Sequence, residues 1–460
     1  MEVTWQRNQS EGEVDGWISS SSGWLDQHPS VLTHPSSKYF PVTGSDGLPW
    51  ILCPSEGTLR MINRQWAEAT AFLIDRNVLH LGISLGTMAA DKVRAALTGV
   101  VAGAYHYTKK DRVSLTIQSA PEIDPVLVDD VMALALAQNW LRYLVDTPSN
   151  EKPPQTLRDV YQKDAKDTIH WHVIEAPELY AMGAGGILSV GQGSHRPPVL
   201  VVGKYEGNPG APFLALVGKG VTFDSGGISL KPVESMGKMK ADMAGSAAVM
   251  ATLRLIAQQK WSVNVLAISG LAENLPGGGA YRPGDIITML DGTRAEIITT
   301  DAEGRLLLGD GVAYAVQQGA SAIVDIATLT GANIVALGGV RASLIGNDSA
   351  WTRMIATAGD NAGEPVWELP HDAEYVDLIR TRVADIKNSG GRAAGTITAA
   401  LFVGHFAKNV KWAHIDMAGM ALLESATPIM RQGPTGFGVS LLLEITRLWM
   451  SNGYDEKGPV

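Results

Sequence analysis

Residues 213–326 constrain the fold more than any other stretch, because short apolar runs alternate there with Gly-rich loops and helical segments. Residues 213–217 carry no polar side chain, as a strand covered on both faces requires. The Gly-rich segment 218–227 reads as a loop, and 245–256 as an apolar, Ala-rich helix. Residues 263–268 give the next strand. Residues 286–289 and 295–298 form a hairpin around Asp291-Gly292, 306–316 a helix, and 322–326 another buried strand. Strands alternating with helices predict an α/β fold whose central sheet is mainly parallel and flanked by helices. In such sheets, sites gather at the carboxyl ends of the strands.

Upstream, 61–74 reads as an amphipathic helix, 78–85 as a strand, 88–105 as a Gly/Ala-rich helix and 113–117 as a strand. A long helix over 126–144 runs into Asp146-Thr147-Pro148-Ser149-Asn150-Glu151, where turn-formers with Pro148, Pro153 and Pro154 end it. That break predicts a smaller N-terminal α/β domain over 1–145 and a larger catalytic domain over 146–460. The first 55 residues show no sustained period. The chain has 460 residues, which at about 150 per domain also suggests two or three domains.

Charge and cysteine content narrow the function classes. Lys+Arg 37 against Asp+Glu 47 gives −10, which argues against a nucleic-acid coat. Cys53 is the only cysteine, so an internal disulfide framework and a cysteine metal cage are both excluded. No basic segment leads into an apolar stretch at the start, and the longest nearly apolar run, 95–104, is far short of a membrane span. The expectation is a cytoplasmic protein with no membrane partner.

In a chain with 18% charged residues, charges placed in Gly-rich loops between buried strands are informative. Lys219, Asp224 and Lys231 follow the first strand. Asp242 stands at the entrance to the Ala-rich helix, and Asp301, Glu303 and Arg305 precede or open the next one. If the strands are neighbours, Asp224, Asp242, Asp301 and Glu303 converge. Four carboxylates cannot share a small site as bare anions. Two divalent cations would balance them, and an oxygen-rich shell suits Mg²⁺, Mn²⁺ or Zn²⁺. Such a pair activates water and clamps a tetrahedral intermediate. Taken singly, Asp242 reads equally as a helix N-cap, and Asp301-Ala302-Glu303 as first-turn dipole compensation. A nucleotide loop is rejected: Phe213 stands where that motif has its first Gly, and Gly220 where it needs Ser or Thr.

Read together, these blocks resemble the leucyl aminopeptidase family, the dimetal cytosol aminopeptidases. The match is carried by Gly218-Lys219-Gly220-Val221-Thr222-Phe223-Asp224-Ser225-Gly226-Gly227, by Lys231 and Asp242, and by Thr300-Asp301-Ala302-Glu303-Gly304-Arg305-Leu306. Supporting blocks include Thr147–Asn150, Gly186–Gly191, Tyr281–Asp285, Asp325–Ala332, Trp412–Asp416 and Thr435–Val439, so that 145–445 is well covered. Residues 1–140 match weakly and are shorter than the family's first domain. The resemblance implies a metal-dependent aminopeptidase releasing leucine and other apolar residues from peptides with a free N-terminus, through two-metal activation of a bridging water. Lys219, Asp224, Asp242, Asp301 and Glu303 match the metal ligands for two Zn²⁺ or Mn²⁺ ions. As a ligand, Lys219 must lose its proton, which implies a strongly depressed pKa. Lys231 matches the lysine that polarises the scissile carbonyl, and Arg305 the arginine that holds a bicarbonate acting as general base. Met239, Thr328, Leu329 and Gly331 match the substrate pocket. A homohexamer is implied as well. His195 and His414 lie outside the three loops and read as core or surface residues.

One departure concerns Thr299, which stands where the family usually has Asn. A second reading keeps the fold but uses it as a DNA-binding scaffold with vestigial activity; the net charge speaks against it. A non-peptidase dimetal hydrolase is disfavoured by the lysine ligand and by the lack of metal-binding histidines.

Overall fold

The computed structural model describes residues 2–7, 16–20, 40–43, 49–53, 58–108, 112–118, 123–163, 167–423 and 432–452. Their contacts divide into two compact units, one running to Trp140 and the other starting at Leu141.

The first unit holds strands β1 (Glu2–Arg7), β2 (Gly16–Ser20), β3 (Phe40–Thr43), β4 (Pro49–Cys53), β5 (His80–Ser84) and β6 (Arg112–Gln118), with helices α1 (Leu59–Ile74) and α2 (Ala90–Ala104). The sheet order is β1-β6-β5-β2-β4-β3, parallel throughout except for the antiparallel β3–β4 edge. Ile18, Ile51, Ile62, Trp66, Ile83 and Val100 make its core, which also buries Cys53. Four of these strands fall in the opening stretch where no period is legible. Runs of four to six residues are too short to show one above noise.

Helix α3 (Pro125–Asp146) crosses the division between the units. Its last carbonyls have no helical partners and are met by two lysines instead. Lys152 Nζ donates to the carbonyls of Leu144 (2.5 Å) and Val145 (3.1 Å), and Lys240 Nζ to that of Asp146 (2.6 Å). Burial pushes the Lys152 amine down to about 7, Lys240 adds to the shift and Asp146 opposes it. Between about pH 7 and the ordinary lysine value, the unfolded chain therefore binds the proton that the folded one has released. Stability attributable to Lys152 should rise with pH across that window, by up to about 1.4 kcal/mol per unit, and be flat below it. Denaturant titrations at pH 7 and pH 9 should show this gain in the native sequence and its loss in Lys152→Met. Equal pH dependence in the two would refute it.

The second unit is built on a sheet formed by β7 (His170–Glu175), β8 (Val199–Glu206), β9 (Phe213–Gly218), β10 (Gly220–Asp224) and β11 (Asn264–Asn274). A small separate sheet follows in sequence, with β12 (Ile286–Thr288) and β13 (Arg294–Glu296). The large sheet continues with β14 (Ala322–Ala327), β15 (Ala342–Gly346) and β16 (Val366–Glu368). Next come β17 (Ile386–Lys387), which pairs with β13, and β18 (Lys411–Asp416) in the large sheet. The order is β16-β15-β18-β14-β9-β11-β8-β7, with β10 paired to the far end of β11. The central strands β18, β14, β9 and β11 are parallel, and antiparallel partners flank them on either side.

Helices α4 (Ala244–Gln258) and α5 (Gly304–Gln317) both pack over β9, β11 and β14. Side chains of a strand alternate between faces. Ala215, Val217, Leu266 and Ile268 share a core with Leu307, Leu308 and Val312 of α5, whereas the intervening Leu216 and Ala267 lie outside that core. Gly245 lets α4 enter tightly, since a Cβ there would stand 2.1 Å from the Ile326 carbonyl oxygen.

Two boundaries differ from those expected. The segment 218–227 is not wholly loop, because Gly220–Asp224 forms β10; its flanking glycines hide a short strand of β-formers. The strand expected at 263–268 continues to Asn274 with every residue buried, taking in Gly270 and the polar Ser269, Glu273 and Asn274, which fold into the interior. The other elements expected between 213 and 326 lie within one or two residues of those observed, whereas β7, β8 and β15 to β18 had no expected counterpart.

Candidate active site

The carboxyl ends of the central strands bring the three charged loops together. Lys219, between β9 and β10, is pinned by its own backbone. Its N–H donates to the Ile326 carbonyl of β14 (3.2 Å), and its carbonyl accepts from Ser246 N–H of α4 (2.9 Å). The side chain is buried, with Nζ 2.8 Å from Asp242 Oδ2 and 2.8 Å from Glu303 Oε1, and it donates to the Thr328 carbonyl (3.1 Å). Gly304 is required by this arrangement, since a Cβ there would lie 2.5 Å from Lys219 Cε. Asp224 ends β10; its Oδ1 accepts from Gly226 N–H and from Asn274 Nδ2, both at 2.8 Å. Lys231 Nζ reaches Asp224 Oδ2 (2.8 Å) and Asp301 Oδ1 (2.5 Å).

Carboxylate oxygens of Asp224, Asp242 and Glu303 all lie within 4.8 Å of one another, in buried surroundings. Asp301 is more exposed and joins the cluster through Lys231. The N-cap reading does not describe Asp242, whereas Glu303 does stand at the N-terminus of α5, where its charge also faces the helix dipole. The helix after Asp242 is preceded by Met243 with no side-chain cap, and Glu303 precedes α5 without capping it.

Burial raises the pKa of Asp224 and of Asp242, with Glu303 adding to both shifts and Lys219 and Lys231 opposing them. Burial acts the same way on Glu303, but there Lys219 and Lys231 prevail and hold it below the ordinary value. Lys219 shifts against its burial. Burial works against its ammonium, yet Asp242, Glu303 and Asp224 outweigh burial and raise its pKa. The depressed value belongs to the amine as a metal ligand, and with carboxylates alone around it the ammonium is favoured. The reason is charge balance: surrounded by carboxylates alone, the proton is the counter-charge that a cation would have to replace.

Arg305, in the first turn of α5, is buried, and Nη1 donates to the Asn388 carbonyl (2.6 Å). Burial lowers its pKa to about 10 against the pull of Glu303, Asp416 and Asp301. Its Nε has no hydrogen-bond partner among the described residues. Met239 is half-buried on the 3₁₀ turn Gly237–Ala241 that leads into Asp242. The Thr328 hydroxyl donates to Asp242 Oδ1 (2.7 Å), which ties the loop of Thr328, Leu329 and Gly331 to the carboxylates. His195 is not among these groups. His414 is fully buried in β18, paired with Asp325.

Several supporting residues escaped sequence reading. Asn274, at the end of β11, also donates to the Thr300 carbonyl (2.9 Å), which Tyr281 Oη meets as well (2.9 Å). The Thr300 hydroxyl links two of the charged loops, accepting from Ser229 N–H (2.8 Å) and donating to the Gly226 carbonyl (2.6 Å). Asn388, beside β17, grips the same loop through Ile298 N–H (2.8 Å) and the Thr299 carbonyl (2.8 Å). Thr299, the departure from the family pattern, accepts from Asp301 N–H through its hydroxyl (3.2 Å). That is a local turn of the sort an Asn side chain also makes. The one available signal was polarity at the end of a buried run, as in Glu273-Asn274.

The profile of the cytosol aminopeptidase family, catalytic domain, matches residues 139–443. The chain belongs to this family. Members similar to it include a probable cytosol aminopeptidase of Solibacter usitatus, 41% identical over 402 residues, covering 86% of this chain and 82% of the relative. Another is a probable cytosol aminopeptidase of Koribacter versatilis, 46% identical over 314 residues, covering 68% of this chain. The chain spans 61% of the length of that relative. Among solved structures, the bottromycin maturation enzyme BotP in complex with Mn is 32% identical with a TM-score of 0.84, covering 95% of this chain and 99% of that one.

Proposed function

We propose that the chain is a metallo-aminopeptidase that removes N-terminal residues, leucine and other apolar ones foremost, from peptides with a free N-terminus. The observation that carries this reading is the buried convergence of Asp224, Asp242 and Glu303 around Lys219, with Lys231 and Asp301 alongside. The donor set fits hard or borderline divalent ions, since it offers carboxylate oxygens and one amine, and its four acids exceed its two ammonium groups. Lys219, Asp224, Asp242, Asp301 and Glu303 would hold two Mn²⁺ or Zn²⁺ ions, which when bound supply an activated water and Lewis-acid polarisation.

The chain's own groups complete the chemistry. Lys231 donates to the carbonyl oxygen as negative charge develops on it. Asp242 accepts from the substrate's α-amine, so that a blocked N-terminus does not fit. Met239 and the loop of Thr328, Leu329 and Gly331 line the pocket for the first side chain. Such a pocket separates side chains differing by one methylene by only about 1–3 kcal/mol, so selectivity is broad. Arg305, with its free Nε, would hold a bicarbonate as the base that takes the proton from the attacking water. A homohexamer working in the cytoplasm suits this reading, and light scattering would give its mass as six chains. No helix among the described residues is long and apolar enough to cross a membrane.

The test is hydrolysis of leucine anilide by protein loaded with Mn²⁺ or Zn²⁺. Turnover should vanish with chelator and with N-acetyl-leucine anilide. No turnover with either metal over a panel of anilides would sink the reading.

Asn274 gives a finer expectation. Asn274→Ala removes one of the donors that orient Asp224 and leaves the Thr300 carbonyl with Tyr281 alone. Loss of such a supporting bond typically costs about 10–100-fold in metal affinity. Calorimetric Mn²⁺ titration of the variant should show this weakening, and unchanged affinity would count against the assigned role.

A further inference from the structure

The loop 328–331 is fastened from two sides, and only one side belongs to the carboxylate cluster. Toward the cluster, Thr328 donates its hydroxyl to Asp242 and accepts from Lys219 at its carbonyl. On the other side stands Asp416, the last residue of β18 and fully buried. Its Oδ1 accepts from Leu329 N–H and Ala418 N–H, both at 3.1 Å, and its Oδ2 accepts from the Thr330 hydroxyl at 2.6 Å. Its backbone carbonyl accepts from Asn333 Nδ2 (3.0 Å), just beyond the loop. One carboxylate thus holds two successive residues of the loop.

Behind Asp416, β18 carries a further buried contact. Trp412, His414 and Asp416 alternate along β18 and therefore share a face. His414 Nδ1 lies 2.5 Å from Asp325 Oδ1, directly across on β14, while Trp412 Nε1 donates to Asp325 Oδ2 (2.6 Å). Burial works against an imidazolium at His414, but Asp325 and Asp416 outweigh it and raise its pKa, with Arg305 opposing. Burial also raises the pKa of Asp416, with His414 and the hydrogen bonds from Thr330, Ala418 and Leu329 opposing.

We propose that Asp416, backed by the His414–Asp325 pair, is a positioning residue that sets the loop 328–331 for recognition of the substrate's first side chain. The proposal rests on the aminopeptidase reading for its substrate, but not for the anchoring itself. Asp416→Asn keeps the shape and replaces one acceptor oxygen by an amide NH₂. With the amide oxygen kept on the Leu329 and Ala418 N–H groups, the NH₂ faces the Thr330 hydroxyl, which must then accept rather than donate, so the charge-assisted bond to the loop is replaced by a neutral one. Thr330→Val removes the Oδ2 anchor, together with the hydroxyl's contacts to Asn333 N–H (3.1 Å) and the Thr396 hydroxyl (2.9 Å), and leaves Asp416 in place, which keeps the test open should the first variant fold poorly.

Both variants are made in the full chain and loaded with Mn²⁺, and kcat and KM are measured for leucine, methionine and alanine anilides. Hydrogen exchange is followed over 328–331 in parallel. We expect KM for the leucine and methionine substrates to rise about tenfold, the scale of one lost charge-assisted bond. The fall in kcat should be smaller, preference for leucine over alanine should shrink, Mn²⁺ content should be unchanged, and exchange across the loop should be faster. Thr330→Val should shift in the same direction, and the double variant should fall short of the product of the two. An unchanged KM and leucine preference in an active enzyme would overturn the proposal, as would loss of bound Mn²⁺. If the native protein hydrolyses none of the anilides, the aminopeptidase reading fails by itself, and the exchange rates alone then decide whether Asp416 holds the loop.

Discussion

Glu303→Gln should lower kcat/KM for leucine anilide by about 10³-fold or more and reduce the Mn²⁺ bound per chain. The substitution keeps the volume and removes one charge from a buried cluster in which Glu303 is the acid held most firmly ionised. Two losses follow together. A cation loses an anionic oxygen at the centre of the site, and Lys219, 2.8 Å away, keeps only Asp242 as a close ion partner. Breaking a buried pair from one side commonly costs about 3–5 kcal/mol, so the melting temperature should fall as well. Elemental analysis for Mn²⁺ beside the anilide assay checks this. A folded variant that keeps its metal and works within tenfold of the native rate would show that Glu303 is not a ligand.

The second large effect separates chemistry from metal binding. Lys231→Met should lower kcat by about 10²–10³-fold, the range for loss of one donor to a developing oxyanion, while KM and Mn²⁺ content change little. Lys231 lies between Asp224 and Asp301 in this structure, so the ammonium is held at the edge of the cluster by ion pairs and is the most accessible of the three basic groups there. Lys231→Arg should recover only part of the rate, because a planar guanidinium cannot place a point donor in the same spot. A kcat reduced by less than tenfold in Lys231→Met would remove the oxyanion role. The two variants thus form a pair: in Glu303→Gln metal and rate fall together, in Lys231→Met the rate falls alone.

How much of this was legible beforehand depended on the range of the interaction involved. The strands β9 and β14 and the helices α4 and α5 announced themselves because apolar runs and Ala-rich helical stretches are local signals. The acids and lysines stood out because the chain carries few charges and places these in Gly-rich loops. β10 was hidden inside a run of glycines, and the opening strands of the first unit were too short to show a period. Asn274 and Asn388 looked like ordinary polar residues, since their roles depend on carbonyls, a carboxylate and an N–H that are 26 to 90 positions away in sequence. His414 was read as a residue of core or surface; the structure pairs it with an aspartate on the adjacent strand.

By itself the sequence determined the fold class, the loops that carry the charges, and the family to which they belong, because hydrophobic period and residue order along a loop are encoded locally. Only the tertiary structure decided which charges touch. It set three carboxylates within 4.8 Å of one another, raised the pKa of Lys219 among them, and hung the loop 328–331 on Asp416. The physical reason is that electrostatic and hydrogen-bond energies depend on distance and burial. Both are properties of strands brought side by side from distant parts of the chain.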